Sequence, residues 1–332
     1  MARSKTKPSD LEHVVLDESC DALIDATIRV MSESIRKRTQ ARPLLEAMMS
    51  SVNRRDLPIP VISTTLTRVV ELTKSDDVCI DKLTLAVEMD PALVTKLLGI
   101  SNSALLRGNA PVRTVHEALM RMGIGKAKQV VIGLALRSAV LRSPAFQEEA
   151  DELWRHAVLT GLACNALLEK SEDWRDIGFL LGLVHDIGHS VVLCFLSDPI
   201  GRKREFRRIT DAAIDATRAQ LHANLGALSI QAWKFPDAFI TAVLNHHNPE
   251  VTSAEHQELT WALHTADILA KYYEAEHRSD AEVDDSREPT EQDDAALIAA
   301  LNALAEVGMD EERAEILLSK MEGGFKAFAS LA

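Results

Sequence analysis

The chain has 332 residues, 46% apolar and 26% charged, which is enough for two domains of usual size or one long helical domain with extensions. Its formal net charge of −13, from 37 basic and 50 acidic residues, argues against broad, sequence-independent nucleic-acid binding, although a local basic patch stays compatible with it. The four cysteines, Cys20, Cys79, Cys164 and Cys194, are far apart and form no C-x-x-C pair, which rules out the usual zinc-thiolate spacings and a disulfide framework.

Residues 1–12 carry Arg3, Lys5 and Lys7 with no apolar stretch behind them, so no signal peptide is expected. The uncharged run near the middle, 157–168, falls short of the roughly 18 residues a membrane span requires. A cytoplasmic, reduced setting without membrane attachment is therefore expected. Residues 1–55 read as a charged amphipathic helical extension. Leu23, Ile24, Ile28, Met31 and Ile35 follow helical spacing, and Arg36, Lys37 and Arg38 close the segment with cations, as a helix C-terminus prefers. Leu57-Pro58-Ile59-Pro60 breaks the pattern. Leu66, Val69, Val70 and Thr73 then make one helical face, and Leu83, Ala86 and Val87 a second. Asp90 can cap, and Pro91 can take the first position of, a helix over 91–100. Asn102-Ser103 and Gly108-Asn109 supply turns, and short helices continue to about residue 142 with no alternating β run. Residues 56–142 are thus predicted to be an all-helical first module.

Ser143-Pro144 opens a second helical module, 143–273. Helices are expected over 154–168, 176–187 with Ile177, Leu180, Leu181 and Val184 on the buried face, 211–222, around 226–233, over 236–247 and over 259–273. Between 274 and 294 stand ten acids against Arg278 and Arg287, the composition of a solvated linker. Two short helices, 295–307 and 310–318, follow in a C-terminal tail, 295–332, with Leu297, Leu301, Leu304, Ile316 and Leu317 able to dock. The predicted fold class is all-α.

Eight of the eleven histidines fall between positions 156 and 264, several beside aspartate: His156, His185-Asp186, His189, His222, His246-His247, and His264 with Asp267. Neutral imidazole and carboxylate hold Zn, Mn, Fe and Ni, often with a water in an open position, and a helix bundle can bring such ligands together from separate helices. The same residues could instead form Asp–His hydrogen bonds that tie helices together. The basic residues Arg202, Lys203, Arg204, Arg207 and Arg208 could draw in a phosphorylated ligand, or could simply be a solvated helix face.

The order and spacing of the set resemble the HDOD proteins, a signal-output branch of the HD superfamily of metal-dependent phosphohydrolases. The resemblance runs from about residue 57 to 273. Its marks in the first module are Leu57-Pro58-Ile59-Pro60, Met89-Asp90-Pro91-Ala92-Leu93, Ile100-Ser101-Asn102-Ser103-Ala104, and Val115-His116-Glu117-Ala118-Leu119 into Met122-Gly123. In the second they are Trp154-Arg155-His156, Gly182-Leu183-Val184-His185-Asp186-Ile187-Gly188-His189, Trp233-Lys234-Phe235-Pro236, His246-His247-Asn248-Pro249 and Ala266-Asp267. The resemblance implies a two-module helical fold whose second module is an HD-like bundle. It also implies a first metal on His156, His185, Asp186 and Asp267, and a second on His222, His246 and His247 with Asp186 bridging. One or two divalent ions are implied, of Fe, Mn, Ni, Zn or Mg. Two departures stand out. The lysine that often follows the His-Asp pair by three residues is His189 here, and the Gly-Tyr-Pro signature of the cyclic di-GMP phosphodiesterases is replaced by Asn248-Pro249-Glu250. Specificity for cyclic di-GMP is therefore not expected.

Two functions follow and stay open at this point. One is a bacterial signal-transduction output module that binds protein partners and keeps the metal site. The other is a metal-dependent phosphohydrolase or phosphodiesterase acting on a phosphorylated small molecule or nucleotide, with Asp186 and His189 as its catalytic residues.

Overall fold

The computed structural model describes residues 14, 16–37, 40–62, 64–73, 80–102, 110–140, 146–197, 209–277 and 291–329. The expectations for residues 1–12, Arg38, Ser103, Gly108-Asn109, Ser143-Pro144, the basic residues from Arg202 to Arg208 and 278–290 of the acidic stretch lie outside the described residues. The fold is all-α, with no β-strand among the described residues. Its helices are α1 (Asp21–Arg36), α2 (Arg42–Asn53), α3 (Thr64–Thr73), α4 (Ile80–Glu88), α5 (Pro91–Ser101), α6 (Val115–Met122), α7 (Ile124–Val140) and α8 (Gln147–Leu167). They continue with α9 (Gly178–Val184), α10 (Ile187–Ser197), α11 (Asp211–Ala232), α12 (Asp237–Asn245), α13 (Ala254–Glu276), α14 (Glu291–Glu306) and α15 (Glu311–Ala329).

Several boundaries differ from the sequence expectation. The helix expected over 176–187 ends at Val184, and a separate helix, α10, starts at Ile187. The segments expected over 211–222 and 226–233 are one helix, α11, which runs straight through Gly226. The acidic stretch is helical at both ends, because α13 continues to Glu276 and α14 begins at Glu291. Among the described residues, the apolar stretch Gly178–Ser197 is longer than the uncharged run at 157–168. It is long and apolar enough to cross a membrane by composition, yet 78% of its most apolar window is buried inside the protein.

The described chain divides into two compact units that interleave along the sequence. The first comprises Met1–Val61, Ala139–Ala150 and Asp186–Leu244. Within it α1 packs on α2 and α11, and α10 packs along α11. The face of α1 that carries Leu23, Ile24 and Met31 is buried, as are Leu44, Leu45 and Met48 of α2, so both helices bury the apolar stripe their spacing encodes. Arg55 and Lys234 hold left-handed backbone, with φ of 59° and 61°, at a cost of about 1 kcal/mol each for a residue with a Cβ. Their side chains converge on the short 3-10 turn Glu18–Cys20: Arg55 pairs with Asp21 and donates to the Asp17 carbonyl at 2.6 Å, and Lys234 pairs with the Asp17 carboxylate. The Lys234 ammonium, with Ser19, draws the Asp17 carboxyl down to about 2.

The second unit comprises Ile62–Ser138, Asp151–His185 and Asn245–Ala332. Asp90 caps α5 by accepting from the amides of Ala92 and Leu93, with Pro91 at the first helical position, as the sequence predicts. Thr114 and Glu117 form a reciprocal capping box at the start of α6. Two contacts shape the region of chemical interest. The first is a glycine-to-glycine crossing of α8 and α9: a Cβ on Gly182 would stand 2.5 Å from the Cα of Gly161. The second is the central position of α13, which packs against α9 and α14; Leu263, Ala266, Leu269 and Ala270 are completely buried.

Candidate metal centre

In the second unit three ligand-type side chains from three helices converge. His156 stands on α8, His185 directly after the last residue of α9, and Asp267 on α13, and each is almost wholly buried. Every residue of α9 is buried, so the chain that delivers His185 runs through the core, and the Gly161–Gly182 crossing brings α9 close to α8. The rings of His156 and His185 are consequently 5.4 Å apart. His156 Nε2 lies 3.0 Å from Asp267 Oδ1, and His185 Nε2 lies 3.8 Å from the same oxygen. One ligand atom from each residue falls within 4.8 Å of the other two.

The outer contacts fix which atoms face inward. His185 Nδ1 donates to the Gly182 carbonyl at 2.8 Å, which turns Nε2 toward Asp267. His156 Nδ1 donates to the Glu274 carboxylate at 3.1 Å, which does the same for its Nε2. Lys271 donates to Asp267 Oδ2 at 2.7 Å and leaves Oδ1 facing the rings. Burial works to raise the Asp267 carboxyl, but the imidazoles of His156 and His185 and the ammonium of Lys271 outweigh it and hold the group well below the usual carboxylate range. His246, which is fully buried, meets the His185 ring edge-on at 5.4 Å, and the exposed His247 lies 3.9 Å from His246. His264 donates from Nδ1 to the His246 carbonyl at 2.7 Å.

The first unit carries a second group: Asp186, His189 and His222, again with one ligand atom each within 4.8 Å. Asp186 Oδ1 is 3.7 Å from His222 Nε2, and Oδ2 is 3.7 Å from His189 Nε2. The two imidazoles stack, with centroids 4.5 Å apart and planes inclined by 6°. His222 donates from Nδ1 to the carbonyl of Ala219 at 2.8 Å, so Nε2 faces Asp186. Gly188 makes this possible. A Cβ there would overlap the His222 carbonyl oxygen and stand 2.7 Å from the Gly226 amide nitrogen, so only glycine lets α10 lie this close to α11.

The chemistry of the donor sets fits a divalent cation. In a neutral imidazole whose Nδ1 proton is committed to a carbonyl, Nε2 carries a lone pair. At His185 and His222 the inward Nε2 stands 3.8 and 3.7 Å from a carboxylate oxygen, beyond ordinary hydrogen-bond length, a separation that suits a cation shared between the two groups. Two ligands of one metal, each about 2.0–2.2 Å from it, stand roughly 3.0–3.5 Å apart, so either pair needs to close by only a few tenths of an ångström. A histidine oriented through its other nitrogen by a carbonyl or carboxylate is the usual outer shell of a metal ligand.

Of the residues expected from sequence, His156, His185 and Asp267 come together in the second unit beside His246 and His247, and Asp186, His189 and His222 come together in the first. Sequence reasoning misses Lys271 and Glu274, because 274 opens the acidic stretch that reads as a linker. Their signal was present in the spacing: His264, Asp267, Lys271 and Glu274 recur on one face of α13.

The HDOD domain model matches residues 59–249. Among solved structures, a Shewanella amazonensis SB2B protein named as a candidate metal-dependent phosphohydrolase is 17% identical with a TM-score of 0.61, over 87% of this chain and 99% of that one. A Marinobacter aquaeolei VT8 protein named as a candidate signal transduction protein is 18% identical with a TM-score of 0.60, over 96% of this chain and 67% of that one. An uncharacterised protein of Treponema pallidum (strain Nichols) is 24% identical over 275 residues, 80% of this chain and 51% of the relative, so the chain spans about half the length of that relative. At these identities the structural likeness speaks for the fold, and the fold is shared over most of the chain. With the domain model matching more than half of its residues, the chain belongs to the HDOD domain family.

Proposed function

We propose that this protein is a cytoplasmic HDOD signalling module that holds one or two divalent metal ions and works by offering helical surfaces to protein partners. The observation that carries the reading is the buried triad His156, His185 and Asp267, each member turned inward by a separate outer contact. Three such side chains are costly to bury unless a cation or protons neutralise them, and the outer contacts suit a cation. Asp186, the next residue after His185, is the fourth ligand that the family resemblance implies. His222, His246 and His247 are the ligands it implies for a second ion. The name of the Marinobacter relative supports a signalling role.

A second reading, hydrolysis of a phosphorylated small molecule or nucleotide, is favoured by the Asp186–His189–His222 group and by the name of the Shewanella relative. A bound divalent ion would supply a lowered pKa for attacking water and neutralise phosphoryl charge. In that chemistry Asp186 orients the water, and His189, set against Asp186 and stacked on His222, holds a proton for the leaving oxygen. The two readings separate in one assay of bis(p-nitrophenyl) phosphate and p-nitrophenyl phosphate turnover with Mn, Fe or Ni. A module gives no metal-stimulated turnover in wild type. An enzyme gives turnover that Asp186→Ala abolishes and His189→Ala lowers by about 100-fold or more while metal stays bound. Turnover that survives in Asp186→Ala would contradict the catalytic assignment.

A further inference from the structure

Glu274 lies 25 residues beyond the end of the HDOD match at 249, in a stretch whose composition is that of a linker, yet its carboxylate accepts a hydrogen bond from His156 Nδ1 at 3.1 Å. We infer that Glu274 is a positioning residue of the metal centre, and that the C-terminal helices α14 and α15, outside the family domain, hold it in place. The inference rests on the metal-holding reading above.

The contact is built rather than incidental. Glu274 is only 22% exposed and the His156 side chain 10%, so the pair is screened from water more than a surface ion pair is. The ring of Tyr273, next to Glu274, is anchored independently of the metal ligands, stacked on His277 at 3.9 Å and set edge-on to Phe325 of α15 at 6.3 Å. The other side of α15 rests on α8, the helix that carries His156. A Cβ on Gly324 would meet the Leu162 side chain at 2.7 Å, and Lys320 pairs with Glu169, just past the end of α8, at 2.8 Å. Leu317 and Met321 bury the face between these contacts. Thr265 of α13 donates to the Ala303 carbonyl of α14 at 3.3 Å. The two C-terminal helices therefore set the spacing between α8 and the end of α13, and with it the distance from Glu274 to His156. A carboxylate in this place fixes the ring so that Nε2 points at Asp267 before any ion arrives. Such outer partners set metal affinity without touching the metal.

The test is calorimetric titration of Mn2+, and separately Zn2+, into chelator-stripped full-length protein, comparing wild type with Glu274→Ala and Glu274→Gln. Glu274→Ala should weaken the Kd by about 10–100-fold. Glu274→Gln keeps an acceptor for the Nδ1 proton but loses the charge, and should recover about half of that loss on a logarithmic scale. The metal-free melting temperatures of both variants should stay within about 3 °C of wild type, because the residue acts on ligand geometry and not on the core. A Kd for Glu274→Ala within about twofold of wild type would overturn the inference and leave the metal reading standing. A metal-free melting loss large enough to account for the weaker binding would overturn it in favour of a structural role. Wild type that takes up neither ion would overturn both together.

Discussion

Replacing Gly188 with alanine should destabilise the protein by about 3 kcal/mol or more, because the new methyl has nowhere to go. It would overlap the carbonyl oxygen of His222, and it would also crowd the amide nitrogen of Gly226 at 2.7 Å. Both obstacles are backbone in the middle of α11, so no side-chain rotation relieves them, and α10 must move bodily away from α11. For a region of this size that cost corresponds to a fall in Tm of roughly 6–12 °C. The displacement should also separate His189 from His222, whose rings stack at 4.5 Å across the same helix pair. Gly125, where an added Cβ meets nothing within 4 Å, serves as the control, and Gly125→Ala should leave Tm unchanged or slightly raised. Thermal unfolding followed by circular dichroism decides the matter. An unaltered Tm in Gly188→Ala would mean that the two helices are not in this contact.

Asp267→Ala is expected to have the second large effect, and to show it mainly in metal response. Asp267 is 2% exposed and serves His156, His185 and Lys271 at once, so its removal takes away the one anion on which the triad is built. An ion bound only by the folded state stabilises it by about 2.7 kcal/mol at a hundredfold excess over Kd. Wild type should therefore gain several degrees in Tm when Mn2+ or Zn2+ is added, and Asp267→Ala should gain none. The variant should also start lower, by about 3–5 kcal/mol, since one partner of a buried charged cluster has been deleted and its imidazole and ammonium neighbours left behind. Equal metal-induced gains in the two proteins would show that any ion binds elsewhere.

The elements that sequence reasoning placed well are those governed by local chemistry. Asp90-Pro91 announces the start of α5 because a capping carboxylate and a residue without an amide proton suit only that position. The apolar stripe of α1 is legible because one side of the helix faces solvent, which leaves the period visible. Where burial is complete the period vanishes. α9 is buried at every residue and α10 at most, so hydropathy alone could not show that the chain stops one helix at Val184 and starts another at Ile187. The sequence reads separate segments over 211–222 and around 226–233, whereas in the fold the Gly226 amide nitrogen lies close against Gly188 and the helix continues past it. The candidate ligands were legible through the order of histidines and aspartates that the family resemblance supplied. Glu274 was not, because a run of acids looks the same whether its first member faces water or a histidine 118 positions earlier.

The central claim is that this chain holds metal in its native state, and elemental analysis of full-length protein purified without chelators tests it most directly. The expected result is about one to two equivalents of Fe, Mn, Ni, Zn or Mg per chain, falling to background in Asp267→Ala while the variant remains folded. Less than about a tenth of an equivalent in wild type, persisting after reconstitution with each of those ions, would contradict it and leave the His–Asp groups as hydrogen-bonded ties between helices.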